Sequence, residues 1–313
     1  MNNLTNIKKV LTITINPCVD KSSSVSGIVP EKKLRCQLPK YEPGGGGINV
    51  SRALKRLKAE SLTLFTSGGR TGKLLEELLR KENLDIFPFT VEHETRENFI
   101  VTDSLNEQQF RFGFPGMPIS EREQIAFLNT IQKIEDFPEI SVISGSLPDG
   151  VDPYFIKEVI QVCKHKNSKV IMDTSGKSLE IAAEEGVFLL KPNIGELSAL
   201  TGNSELSNSM LDVAAAQLIK KGSAKVVVVS SGASGATLFY DTKKIYQPAP
   251  LVKVRSTVGA GDSMVAGMVS VLAINGSMEE MLRMGVACGS ATTMAEGTGL
   301  FQTENVNKLL MAL

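Results

Sequence analysis

Four stretches decide how this chain folds. They read Ile140-Ser-Val-Ile-Ser-Gly-Ser-Leu-Pro-Asp-Gly150, Lys169-Val-Ile-Met-Asp-Thr-Ser-Gly176, Val187-Phe-Leu-Leu-Lys-Pro-Asn-Ile-Gly-Glu196 and Lys225-Val-Val-Val-Val-Ser-Ser-Gly-Ala-Ser-Gly235. Each opens on a short apolar run and ends in a turn rich in small polar residues, the pattern of a buried strand running into a loop. Helix-period segments lie between them, such as Pro153 to His165 and Leu211 to Lys221, the latter closed by Gly222 in the C′ position. Working outward, Val10 to Ile15 is another β-branched run, stopped by Asn16-Pro17. Strand–helix alternation predicts an α/β fold with a mostly parallel sheet flanked by helices. In such sheets ligands bind outside the carboxyl ends of the strands, where these polar turns collect.

Two stretches break the alternation, from about 18 to 42 and from about 93 to 115. They are richer in charge, and Phe110-Arg-Phe-Gly-Phe114 alternates as a sheet with one covered face would. They predict a small, discontinuous β layer beside one main domain spanning 1–313.

Composition excludes several functions. Lys+Arg and Asp+Glu are both 34 in 313 residues, without the positive excess that nucleic-acid or membrane-surface binding needs. The four cysteines are far apart, and only one histidine lies near any of them, His165 beside Cys163, with no second cysteine or histidine to complete a ligand set. This argues against zinc and fits free thiols in a reducing compartment. The opening residues show no secretory apolar region of about 7–15 residues, and no run approaches the roughly 20 apolar residues of a membrane span. A cytoplasmic protein is expected.

Two glycine-rich segments carry the chemistry. Pro43-Gly-Gly-Gly-Gly47 precedes an amphipathic helix with Ile48, Ala53, Leu54 and Leu57 on or near one face. It is neither a Walker A loop nor G-x-G-x-x-G. Ordering so many glycines costs entropy, so a close backbone approach to a ligand explains them better than a loose turn. The second, Thr257-Val-Gly-Ala-Gly-Asp-Ser263, opens an apolar helix. Its bare N–H groups form an anion site. Asp262 suits a plain helix cap, but a carboxylate beside an anion site also suits proton abstraction.

Together these residues resemble the PfkB family of sugar kinases, of ribokinase-like fold, over nearly the whole chain. The resemblance rests on the glycine run with Asn49, on Ser256 to Ser263, on Asn193-x-x-Glu196 and on Ser144-Gly-Ser-Leu-Pro148. Lys33-Leu-Arg-Cys36 and Gly46 lean toward the 6-phosphofructokinase branch. The 1-phosphofructokinase and tagatose-6-phosphate kinase branches look like Gly-Gly-Lys-Gly at 44–47. Gly195 departs from close relatives, which often carry lysine before the motif glutamate.

The resemblance implies ATP-dependent phosphorylation of a sugar phosphate, fructose 6-phosphate to fructose 1,6-bisphosphate. Asp262 would be the base, with Gly259, Ala260 and Gly261 holding the transferring phosphoryl group. Asp20, Gly44, Gly45, Asn49 and Ser144 would meet the sugar, and Lys33, Arg35 and Arg96 its phosphate. Asn193, Ser230, Gly232, Gly235 and Thr257 would line the nucleotide. Glu196 would hold Mg2+ through water, and a monovalent cation has a place in the scheme. The β layer would act as a lid and as the clasp of a homodimer. A non-catalytic sugar-phosphate sensor of the same fold is the rival from another class, but it needs none of Asp262, the Gly-Ala-Gly turn and the Asn193/Glu196 pair together.

Overall fold

The apolar runs become strands because each can bury both faces of its backbone ladder between helices. A computed structural model of the chain describes residues 9–202 and 208–313; the opening segment read for targeting signals lies mostly outside them. The first half contains β1 (Val10–Thr14), β2 (Cys18–Val25), β3 (Lys40–Gly44), α1 (Gly46–Arg56), β4 (Ser61–Ser67), α2 (Gly69–Lys81), β5 (Asp85–Thr90), β6 (Arg96–Asp103), β7 (Gln109–Gly113) and α3 (Glu121–Gln132). The second contains β8 (Ile140–Ser144), α4 (Phe155–His165), β9 (Lys169–Asp173), α5 (Gly176–Glu185), β10 (Val187–Leu190), α6 (Ile194–Leu200), α7 (Asn208–Lys220), β11 (Ala224–Ser230), β12 (Ala236–Tyr240) and β13 (Lys243–Gln247). Three helices close it: α8 (Ala260–Ala273), α9 (Met278–Thr293) and α10 (Thr303–Ala312).

The main sheet has nine strands in the order β13-β12-β11-β10-β9-β8-β1-β4-β5. From β5 to β11 all pairings are parallel, and the β12–β13 hairpin adds two antiparallel ones at the edge. One core face packs α3 to α7 on the sheet around Leu11, Ile143, Phe127 and Phe155. The other packs α1, α8, α9 and α10 around Val142, Leu54, Val265 and Val286. Gly222 takes φ 79° beyond α7, as its C′ position requires. Pro88 lies in β5, which pairs with β4 alone, so its missing N–H leaves no central ladder broken. Among the described residues no helix is long and apolar enough to cross a membrane.

The chain order reverses at β1. From it the sheet grows one way through β4 and β5 and the other through β8 to β11. This topological switch opens a crevice between the carboxyl ends of β1 and β8, where such sheets place ligands.

A second sheet, β3-β2-β6-β7, stands beside that crevice. It comes from the two stretches that break the alternation. Two details differ from the sequence reading. Residues 26–39, which contain Lys33 and Arg35, form an exposed loop rather than a strand, and Pro30 and Pro39 at its ends interrupt any ladder. Phe110, Phe112 and Phe114 are not covered within the chain, with 37%, 52% and 47% of their surface open.

Candidate active site

The helix that follows the glycine run starts inside the switch-point crevice. A Cβ at Gly46 would collide with the Ser144 hydroxyl and lie 2.8 Å from Gly145 N. One at Gly44 would lie 2.6 Å from Cys18 Sγ and 2.8 Å from Asp20 Oδ2. The close approach inferred from the sequence is therefore seen first against the protein's own strand ends. It lets α1 carry Asn49 beside α8.

Asp262 sits in the first turn of α8, whose N-cap, Gly259, is left-handed at φ 73°. Asn49 Nδ2 donates to Asp262 Oδ2 at 3.0 Å, and Ser144 Oγ donates to Oδ1 at 3.4 Å. Buried Arg52 sets the direction of the Asn49 amide. Its Nη1 donates to Asn49 Oδ1 at 3.3 Å and to Pro43 O at 3.1 Å, while Nε and Nη2 hold Glu82. Burial pushes the Asp262 carboxyl up to about 7, and the charge of Asp173 adds to the rise; Asn49, Lys191 and Ser144 offset part of it. The group retains some opening to solvent. Its pKa suits a general base working near neutrality.

Lys191 and Asp173 stand at the ends of β10 and β9, their side chains 3.0 Å apart. Burial opposes the Lys191 charge, but Asp173, Glu196 and Asp262 together hold the ammonium above its ordinary value. A Cβ at Gly261 would lie 3.6 Å from Lys191 Nζ, so a cation flanks the start of α8. The first intrahelical bond there is Ser263 N to Gly259 O at 2.9 Å. The N–H groups of Gly261 and Asp262 thus precede the ladder and face out of the helix start, whereas Ala260 N makes a long, 3.4 Å bond to Thr257 O.

Beyond the ends of β10 and β11, Asn193 bridges to Ser230, and Ser230 N donates to Pro192 O at 3.1 Å. Asn193 and Glu196 form a reciprocal capping box: Glu196 N donates to Asn193 Oδ1 at 2.9 Å, and Asn193 N to Glu196 Oε2 at 2.8 Å. Gly232 is open around its Cα, while a Cβ at Gly235 would collide with Gln247 O. Gly235 thus has a packing reason of its own. Thr257 is exposed just before α8.

The second sheet supplies Asp20 and Arg96. Asn98 Nδ2 donates to Asp20 Oδ1 at 2.9 Å. Arg96 Nη1 donates to Asn98 Oδ1 at 3.2 Å and Phe114 O at 3.1 Å, and Nη2 to Asn16 O at 3.3 Å; Nε is buried without a partner. The structure thus joins Asp262, Asn49, Ser144, Gly44, Gly45, Asp20 and Arg96 around one crevice. It leaves Lys33 and Arg35 in the exposed loop. Sequence reasoning misses Asn98, Cys18, Lys191, Asp173 and Arg52. The available signal is position: Asn98 is two residues from Arg96 on one strand face, and Lys191 and Asp173 end apolar runs.

Residues 9–305 match the model of the pfkB family carbohydrate kinases. The chain belongs to that family. It is a phosphofructokinase-like enzyme within it, 40% identical over 303 residues to ATP-dependent 6-phosphofructokinase isozyme 2 of Escherichia coli, covering 96% of this chain and 97% of that one. The crystal structure of phosphofructokinase-2 from Escherichia coli in complex with fructose-6-phosphate overlays with a TM-score of 0.92 at 38% identity, covering 98% of this kinase and 99% of that chain. The same protein has been solved with potassium and in a tetrameric inhibited form. Ribokinase from Thermotoga maritima, at 21% identity, covers 97% of this kinase and 99% of that chain with a TM-score of 0.77, which shows the ribokinase-like fold alone.

Proposed function

We propose that this kinase transfers the γ-phosphoryl group of ATP to fructose 6-phosphate, giving fructose 1,6-bisphosphate. The observation that carries the reading is Asp262, held by Asn49 and Ser144 at the switch-point crevice, with its carboxyl pushed toward neutrality. Asp262 accepts the proton of the attacking sugar hydroxyl, and the remaining catalysis is positioning and charge stabilisation. The N–H groups at Gly259 and Gly261 face the charge on the transferring group, and that of Ala260 joins them by giving up its long bond to Thr257 O. Asp20, Gly44, Gly45, Asn49 and Ser144 orient the sugar, and Arg96 binds its phosphate. Asn193, Ser230, Gly232, Gly235 and Thr257 flank the nucleotide. ADP release measured with fructose 6-phosphate, tagatose 6-phosphate, fructose 1-phosphate and free fructose tests the reading. A preference for any substrate other than fructose 6-phosphate overturns it.

The donor set fits Mg2+ held through water. One Glu196 oxygen is spent on the cap, and among the described residues there is no group of three or more His, Cys, Asp or Glu that could chelate a metal directly. Bound with ATP, Mg2+ would neutralise phosphate charge while keeping much of its hydration. Glu196→Gln is expected to raise the Mg2+ concentration for half-maximal rate several-fold, with KM for fructose 6-phosphate little changed. An unmoved Mg2+ titration would reduce Glu196 to a helix cap. The potassium complex of the Escherichia coli protein supports a monovalent cation as well.

The second sheet acts as a lid in this reading, and its outer face is the surface of a homodimer. Support comes from Tyr41, Phe110 and Phe112, which are exposed there. Sedimentation of the wild-type chain and of Phe112→Glu checks it: the variant is expected to be monomeric, and an unchanged sedimentation coefficient would refute the face. Free thiols are in keeping with a cytoplasmic site of action.

A further inference from the structure

One side chain in the lid sheet has every hydrogen-bonding group committed, and its partners are the two groups that read opposite ends of the substrate. Asn98 Nδ2 donates to Asp20 Oδ1 at 2.9 Å and to Cys18 Sγ at 3.1 Å. Its Oδ1 accepts from Arg96 Nη1 at 3.2 Å and from Phe114 N at 3.3 Å. The strand register makes this possible. In the parallel β2–β6 pair Asp20 lies opposite Asn98 and Cys18 opposite Arg96, so all four share the inner face. The partners also settle the amide orientation. Turning it over would set its carbonyl against the Asp20 carboxylate and its NH2 against the Arg96 guanidinium.

Asp20 accepts only when ionised and Arg96 only donates. Without a group between them that both donates and accepts, their side chains have no shared reference: Arg96 would be held only by Phe114 O and Asn16 O, and Asp20 only by the Cys18 thiol. A fixed separation between the two is also a ruler for the ligand, because hydroxyls at one end and phosphate at the other must be met together. Displacing a binding group by about an ångström is enough to lose most of the benefit of orientation.

We propose that Asn98 is a positioning residue for substrate recognition, setting the carboxylate of Asp20 and the guanidinium of Arg96 at the spacing of a phosphorylated sugar. The inference rests on the function proposed above, in which Asp20 reads hydroxyls and Arg96 reads phosphate. Asn98 acts through these two groups and takes no part in proton transfer.

The test is steady-state ADP release on the intact enzyme, with wild type, Asn98→Ala, Arg96→Ala and the double variant. Wild-type turnover of fructose 6-phosphate is read first. Its absence overturns the functional reading and this inference with it. Given that turnover, Asn98→Ala is expected to raise KM for fructose 6-phosphate by about tenfold, with KM for ATP unchanged and kcat within about threefold. In the double variant the KM increase should fall well short of the product of the two single increases, because Asn98 acts in part through Arg96. Asn98→Asp covers the case in which the alanine variant does not fold. It keeps the acceptor for Arg96 but sets a second carboxyl against Asp20, and such a pair retains a proton to higher pH. Its KM, divided by the wild-type KM at the same pH, should therefore rise between about pH 5.5 and 8. Equal changes in both KM values, single-variant effects that multiply, or a pH-independent ratio would each overturn the proposal while leaving the function standing.

Discussion

Asp262→Asn is expected to lose at least about 10²-fold in kcat, the low end for removal of a general base, while folding normally and still binding ATP. The amide matches the carboxylate in shape; its oxygen still accepts from Asn49, and its NH2 can donate to the Ser144 hydroxyl, which then accepts. Turnover near that of wild type would remove Asp262 from the role of base. The same group sets a pH limb. With its carboxyl near 7 in the folded enzyme, kcat/KM should fall about tenfold per pH unit below that value and level off above it. Asp173→Asn should move the limb to lower pH, because the Asp173 charge helps to raise it. Stability provides an independent check. The folded pKa lies above the ordinary aspartate value of 3.8, so Asp262 stabilises the fold most below that value and loses the contribution as pH rises through about 7. The asparagine variant should therefore gain Tm relative to wild type from pH 4 toward pH 7, by roughly 2 °C or more at the plateau. A fall in Tm above pH 7 would contradict the burial argument.

Arg96→Ala should act at the other end of the substrate. Loss of a charge-assisted hydrogen bond costs roughly 1.5–3 kcal/mol, about 10- to 150-fold in KM for fructose 6-phosphate. KM for ATP should remain within experimental scatter. The effect should shrink for free fructose, which has no phosphate to lose. The decisive quantity is the ratio of kcat/KM for fructose 6-phosphate over fructose, compared between wild type and Arg96→Ala. If the ratio does not fall, the phosphate is read elsewhere, with Lys33, Arg111 and Ser144 the next residues to replace.

Much of this was legible in the chain because the signals are local. β1, β8, β9, β10 and β11 announce themselves as apolar runs, and α1 and α8 as amphipathic or apolar helices entered from glycines. Asp262 stands out because the Gly259-Ala260-Gly261 turn precedes it directly in sequence, although its partners Asn49 and Ser144 are 213 and 118 residues away. The edge elements are harder to read. Pro88 disguises β5 as a loop, β12 is short, and β13 is short, largely exposed and stabilised by its pairing with β12. Lys33 and Arg35 illustrate the opposite error, in which i, i+2 spacing suggests a strand face but the prolines on either side leave an exposed loop. For Asn98 the spacing from Arg96 marks a shared strand face but not its role. Its partners Asp20 and Cys18 are 78 and 80 residues away, and only the β2–β6 register brings them together.

That register also determines when the enzyme becomes competent as it folds. β2 follows β1 directly, yet its parallel partner β6 comes only after β3, α1, β4, α2 and β5. Closing a loop of that length costs entropy before any contact repays it, and non-local pairings of this kind slow folding. A nascent or refolding chain can therefore complete the β1–β4–β5 part of the main sheet while Asp20 and Arg96 are still apart. Affinity for the phosphorylated sugar is then acquired only when β6 has paired with β2, and ligand binding reports completion of the lid sheet separately from formation of the β1–β4–β5 unit.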